Sequence, residues 1–101
     1  MTHPSRQLDD VVHQRVRLGI LAVLAEADRV EFTYLRDQLD VTDGNLNRHL
    51  QVLSDAGFVR IEKRHGGRAR TWIAATKSGR GAFADHLARL QQIIDATKEH
   101  L

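Results

Sequence analysis

The sequence predicts a mainly α-helical domain with one small β-hairpin, in the order helix, strand, helix, helix, strand, strand, helix. Aliphatic residues recur at three- and four-residue steps in three separate segments, as they do on amphipathic helices. Two β-rich runs flank the pair Gly66-Gly67, which is a strong hairpin signal. The 101 residues contain no linker or repeat, so we expect a single domain over residues 1–101, with a core from about 8 to 75 and a last helix from about 77 to 100.

The first half of the chain is expected to contain two helices and a short strand. One apolar stripe runs from Leu8 to Ala27 and predicts the first helix over that range. Asp28-Arg29 interrupts the stripe, and residues 30–32 are expected to be extended. A second, short helix is predicted from Tyr34 to Leu39, with Thr33 as its N-cap.

A third helix is predicted to begin after Thr42, whose hydroxyl is suited to cap it, and to end at Gly57. Its inward face is the stripe Leu46, Leu50 and Leu53. The two strands of the hairpin are expected over 59–64 and 69–75.

The last helix is predicted to start after Thr76, with Gly79 and Gly81 weakening its first turn. Its apolar positions follow a heptad pattern, which indicates packing against a partner helix. A domain of this size has little interior left for that stripe, so we expect a homodimer, with a surface formed by Val12, Val16, Phe83, Leu87, Leu90, Ile94 and Leu101.

The charge is unevenly distributed. Between Gly44 and Arg80 there are eight basic residues and two acidic ones, whereas the rest of the chain carries a net charge of −4. A basic middle segment favours a polyanionic partner such as nucleic acid.

Composition argues against several other classes of protein. There is no cysteine and therefore no disulfide or thiolate site, and the six histidines lack the close spacing of metal ligands, so we expect no cofactor and no metal. No phosphate loop, nucleophile–base pair or compact carboxylate pair indicates an enzyme. No apolar run is long enough for a membrane span and no signal peptide is evident, so a cytoplasmic location without membrane contact is expected.

The third helix has the outer face that base recognition needs. At 100° per residue, Gly44, Arg48 and Gln51 lie opposite the leucines, with Asn45 and Asn47 on the flanks. Arginine pairs with guanine, and asparagine or glutamine with adenine, in the major groove. His49 is instead expected to be a hydrogen-bonded packing residue.

The hairpin carries dense positive charge around its glycine tip and is suited to contact a phosphate backbone or a minor groove. Its candidate contact residues are Lys63, Arg64, Arg68 and Arg70.

Five segments of the chain resemble bacterial and archaeal winged-helix regulators. They are Arg17-Leu18-Gly19-Ile20-Leu21, Phe32-Thr33-Tyr34-Leu35, the run from Thr42 to Leu50, Ala56-Gly57-Phe58-Val59, and Thr76-Lys77-Ser78-Gly79-Arg80. The likeness extends to the MarR and ArsR superfamilies and is stronger to the short stand-alone winged-helix family. Two departures are Ala75, where a larger aliphatic residue is usual, and Gly79, where a glutamate would complete a capping box.

The resemblance implies a winged helix–turn–helix that binds double-stranded DNA, with helix 42–56 in the major groove and the 63–70 wing on the backbone or minor groove. A homodimeric repressor reading a palindromic operator is expected, with a small-molecule effector, if there is one, between the first and last helices. The alternative is a winged helix used for protein or RNA contacts without operator specificity. The candidate DNA-binding residues are Thr33, Thr42, Gly44, Asn45, Asn47, Arg48, Gln51, Lys63, Arg64, Arg68 and Arg70.

Overall fold

Residues 3–101 are described by a computed structural model, in which the predicted winged helix–turn–helix is confirmed. The elements are a 3₁₀-helix (Pro4–Gln7), α1 (Arg15–Ala25), β1 (Val30–Glu31), α2 (Phe32–Leu39), α3 (Asp43–Asp55), β2 (Val59–Arg64), β3 (Arg70–Ala75) and α4 (Lys77–Lys98).

The core lies where α1, α2 and α3 pack on one face of a small sheet. It is made of aliphatic side chains, and burying each one fully stabilises the fold by about 1.5–3 kcal/mol. The largest apolar side chains that are fully buried are Ile20, Leu21, Leu24, Leu35, Leu46, Leu50, Leu53 and Ile73.

The sheet has the antiparallel order β1-β3-β2. Its central strand β3 pairs with β2 over six residues and with β1 over two, with Ile73 opposite both Val30 and Ile61. Because Ile73 is fully buried while its neighbours in the hairpin tip are exposed, the sheet is anchored at one end and free at the other. The free end is the wing.

The first helix is shorter than its apolar stripe predicts. It begins at Arg15, not near Leu8, because the Gln14 side chain caps it by accepting a hydrogen bond from the backbone N–H of Arg17. Residues 8–14 form turns instead, one of which is held by the Asp9 carboxylate on the N–H of Val11.

The second helix begins two residues earlier than predicted. Phe32 is its first residue and Glu31 its N-cap, without a side-chain cap, so the assignment of Thr33 as N-cap was wrong. Pairing of Val30 and Glu31 with β3 leaves the chain extended up to Glu31, and the helix follows directly. Thr33 lies exposed in its first turn.

The helix α3 and the hairpin follow their local signals closely. Thr42 caps α3 by accepting a hydrogen bond from the N–H of Asn45 at 3.1 Å. After α3 ends, Gly57 has a φ of 80°, a left-handed conformation that glycine adopts at low cost. The wing turns through Gly66 and Gly67, with φ of 100° and 60°, and β3 starts at Arg70, one residue later than expected.

The first turn of α4, which its glycines were expected to weaken, is held by three hydrogen bonds. The Thr76 hydroxyl accepts from the N–H of Gly79 and donates to the carbonyl of Gly57, and the Thr76 N–H donates to the carbonyl of Phe58. Gly79 is buried against that same carbonyl. The helix therefore starts from a fixed point on the end of α3 and runs 22 residues to Lys98.

Candidate nucleic-acid interface

The structure presents the outer face of α3 to solvent, as the leucine stripe predicts. Leu46, Leu50 and Leu53 are at most 1% exposed and fix the helix on the core. Arg48 and Gln51 consequently lie on the exposed side, one turn apart. Gly44 is exposed in the first turn, and a Cβ there would meet nothing within 4 Å, so backbone N–H groups are accessible to a close anion.

A groove of about 750 Å³ separates α3 from the wing. Asn47 and Gln51 of α3 line one wall, and Lys63 and Thr71 of the hairpin line the other. The floor is apolar, with Phe32, Leu50 and Ile61. Amide groups and an ammonium group over an apolar floor can hydrogen-bond base edges and phosphates at the same time.

Three of the four basic residues predicted in the wing are without an acidic partner in the part of the chain that the structure describes, namely Lys63, Arg64 and Arg68. Arg70 differs, because its guanidinium donates to Glu31 at 3.3 Å. Arg70 and Thr33 line a second cleft of about 400 Å³ together with Arg68.

Two of the candidate base-reading side chains of α3 are not fully available at the surface. The Gln51 amide donates to the carboxylate of Asp55, four residues on, at 2.8 Å. Asn45 is half-buried, and its side-chain oxygen is fully buried with no hydrogen-bond partner among residues 3–101. Of the two flanking asparagines, Asn47 is therefore the exposed one.

His49 is a buried, hydrogen-bonded residue, as predicted, and its partner was missed. A terminal nitrogen of Arg17 lies 3.0 Å from His49 Nδ1, and the same guanidinium donates to the carbonyls of Val11 and Asp10. Since a guanidinium only donates, Nδ1 accepts and the neutral imidazole carries its proton on Nε2. Burial, and then the charges of Arg17, Arg48 and Arg15, lower the pKa of His49. Arg17 and His49 are 32 residues apart, so no local pattern could have paired them.

The candidate dimer residues divide into two groups. Val12 and Val16 are at most 2% exposed in the core of this chain, so they offer no surface to a partner. Leu101 is fully exposed but lies beyond the end of α4 at Lys98, so it is not part of a face of that helix. Leu87 and Ile94 on α4 are about half exposed, and their seven-residue spacing places them on one face. Phe83 and Leu90 are half-buried beside them.

A second histidine contact joins the N-terminal segment to α4. His13 Nδ1 lies 3.2 Å from Nε2 of His86, which is 2% exposed. Burial and then His13 lower the pKa of His86, against a smaller opposing effect of Asp9. Within residues 3–101 no three carboxylate or imidazole groups gather as a metal site would require, and no helix there is long and apolar enough to cross a membrane.

A family of proteins and one individual relative are similar to this chain in sequence. The family model for a winged helix DNA-binding domain matches residues 16–94. An uncharacterised protein of Methanocaldococcus jannaschii is 42% identical over 79 residues, which cover 77% of this chain and 86% of that protein.

Two solved structures illustrate the likeness in three dimensions. A transcriptional regulator homologue from Pyrococcus horikoshii superposes with a TM-score of 0.89 at 29% identity, covering 94% of this chain and 97% of that one. A MarR-family transcriptional regulator from Silicibacter pomeroyi superposes with a TM-score of 0.68 at 20% identity, covering 94% of this chain and 64% of that one.

The chain therefore belongs to the winged helix DNA-binding domain family and has the fold of MarR-like transcriptional regulators. Family and fold point to a DNA-binding regulator.

Proposed function

We propose that this protein is a homodimeric transcriptional repressor that binds a palindromic operator in double-stranded DNA, with α3 in the major groove and the wing on the backbone or minor groove. The observation that carries the proposal is the groove between α3 and the wing. It places Asn47 and Gln51 of α3 opposite Lys63 of the wing, which, like Arg64 and Arg68 of the same wing, has no acidic partner among the described residues.

The roles of the side chains follow from their positions. Arg48, exposed at the centre of the outer face, pairs with a guanine, and Asn47 and Gln51 at the groove wall contact base edges. Gln51 gives up its bond to Asp55 on binding. Lys63 and Arg68 contact phosphates and fix the register of the protein on the duplex.

The apolar face of α4 supports the homodimer. Leu87 and Ile94, two of the four large apolar side chains exposed among residues 3–101, lie on that face, and Leu101 follows the end of the helix. An exposed apolar row at heptad spacing is stabilised by packing against an identical row. A twofold dimer would place two recognition helices about 34 Å apart, one turn of DNA, which is why we propose a palindromic site.

A small-molecule effector, if one regulates the protein, has a candidate position between α1 and α4. An apolar crevice of about 230 Å³ lies there, lined by Leu21, Ala75, Phe83 and Leu87 among others. Ala75, smaller than the residue usual at its position, leaves part of that space open.

One selection experiment tests the function directly. The protein is mixed with a pool of random duplexes, and the bound fraction is amplified and sequenced. We expect a palindrome whose half-sites are about one helical turn apart, centre to centre. A bound pool without any shared motif, or binding no stronger than to a neutral polymer at low salt, would contradict operator recognition and favour the protein- or RNA-binding alternative.

A further inference from the structure

Arg17 lies beside the flank of α3 that carries His49, with Arg15 two residues before Arg17 in α1 and Arg48 next to His49 in α3. Arg17 is hydrogen-bonded to His49, and Arg15 and Arg48 lie near enough for their charges to act on that imidazole. None of the three forms an ion pair with a carboxylate among residues 3–101. Every charged group with a resolved effect on His49 is a cation. A group of arginines that form no ion pair is suited to bind an anion.

His49, and with it Arg17, lies on the opposite side of α3 from the wing. His49 is about 200° from Asn47 around the helix axis, at 100° per residue. Asn47 lines the groove that faces Lys63 of the wing. The base-reading row of Gly44, Arg48 and Gln51 therefore has a basic element on each side.

The width of the major groove indicates what the arginines on the His49 side of α3 would bind. The major groove is about 12 Å wide, and a helix with its side chains is about 10–12 Å across, so a seated helix brings both flanks near a phosphate strand. If the wing contacts one strand, the strand across the groove faces the His49 flank. We propose that Arg15 and Arg17 form a second phosphate-binding site, which holds the DNA strand across the major groove from the wing. This inference rests on the proposed function.

The two arginines have different roles at this site. Arg15 is exposed at the first position of α1 and forms no hydrogen bond through its side chain with the described residues, so its guanidinium is free for a phosphate. Arg17 uses three of its five N–H groups on Val11, Asp10 and His49, which leaves one N–H on each terminal nitrogen. Those three bonds hold Arg17 in one orientation, so it loses little side-chain freedom when it binds a phosphate.

The salt dependence of binding to a random-sequence duplex is the first test. Each phosphate contact contributes a slope of about −0.9 to log K against log salt. Arg15→Ala should reduce the slope by about one and weaken binding to all duplexes alike. Arg17→Lys keeps the positive charge but loses the planar guanidinium with its several N–H donors. It should therefore weaken binding to the duplex while circular dichroism shows an unchanged fold. Lys98→Ala, which removes one positive charge at the far end of α4, is the matched control and should leave the slope as in the wild type.

Phosphate ethylation interference on a selected operator then locates the contacts. The wild type should show two groups of essential phosphates per half-site, one on each side of the major groove. Arg15→Ala should abolish one group, and Arg68→Ala should abolish the other. If the wild type binds its operator but Arg15→Ala keeps both groups and the full slope, the second phosphate site is wrong while the proposed function stands. If the wild type binds no duplex, both proposals fail together.

Discussion

Two glycines near the start of α4, Gly79 and Gly81, should change the stability of the fold in opposite directions when each is replaced with alanine. Replacing glycine with alanine inside a helix usually stabilises it, by up to about 1 kcal/mol. Gly81 is exposed, and a Cβ there would meet nothing within 4 Å. Gly79 is buried, and its Cβ would clash with the carbonyl oxygen of Phe58 and lie 2.8 Å from the carbonyl carbon.

The clash at Gly79 cannot be relieved by a side-chain rotation, because the obstructing atoms belong to the backbone. That carbonyl also accepts the Thr76 N–H at 3.0 Å, a bond that contributes about 1 kcal/mol. Overpacking of this kind costs about 1–3 kcal/mol. When the loss of that hydrogen bond is added to the overpacking and the gain in helix propensity is subtracted, Gly79→Ala should destabilise the fold by about 1–3 kcal/mol. Gly81→Ala, which causes no clash, should stabilise the fold by about 0.5–1 kcal/mol.

Urea denaturation followed by circular dichroism measures both variants, at one protein concentration because self-association alters apparent stability. Thermal denaturation gives a second measurement, because for a domain of this length each kcal/mol corresponds to at least about 4 °C in Tm. The Tm of Gly79→Ala should lie below that of the wild type, and the Tm of Gly81→Ala above it. If Gly79→Ala proved as stable as Gly81→Ala, α4 would not be seated on the end of α3 as described.

Three other predictions concern DNA binding, assembly and pH. Arg48→Ala should lower operator affinity by about 1–3 kcal/mol and random-duplex affinity less, whereas Arg68→Ala should lower both alike, as measured by titration at fixed salt. Ile94→Glu places a charge on the apolar face of α4 and should yield monomers in sedimentation velocity, whereas Gln92→Glu, at an exposed position on α4, should leave the dimer intact. Because the pKa of His86 is lowered in the folded protein, His86 takes up a proton more readily in the unfolded chain once the pH falls below about 6.5. The free energy of unfolding should therefore decrease as the pH falls through that range. His86→Gln should reduce this decrease, measured by denaturation at pH 7.5 and 5.5.

Each of these has an outcome that contradicts it. Equal losses on operator and random duplex for Arg48→Ala would remove this residue from base recognition. A dimeric Ile94→Glu protein would place the interface elsewhere. Identical pH slopes for wild type and His86→Gln would mean that His86 titrates alike in the folded and unfolded chains.

Elements specified by neighbouring residues were predictable from the sequence. The third helix needed only the Thr42 cap, its leucine stripe and Gly57, and the structure places all three as expected. The wing needed only Gly66-Gly67 between two β-rich runs. In each case a few bonds and dihedral angles within a short segment determine the conformation, so the relevant energy is visible in the local sequence.

Tertiary structure decided what depends on distant partners. The apolar stripe continued through residues 8–14 although they form turns, because a turn can deliver Val12 to the same core as a helix does. From the sequence alone Gly79 is predicted to weaken its helix, whereas the structure shows that a side chain there would clash with the carbonyl of Phe58. His49 and Arg17, and His13 and His86, meet across 32 and 73 residues. Chain folding alone brings such pairs within hydrogen-bond distance, and that is why the position of Arg17 beside the recognition helix could be recognised only in three dimensions.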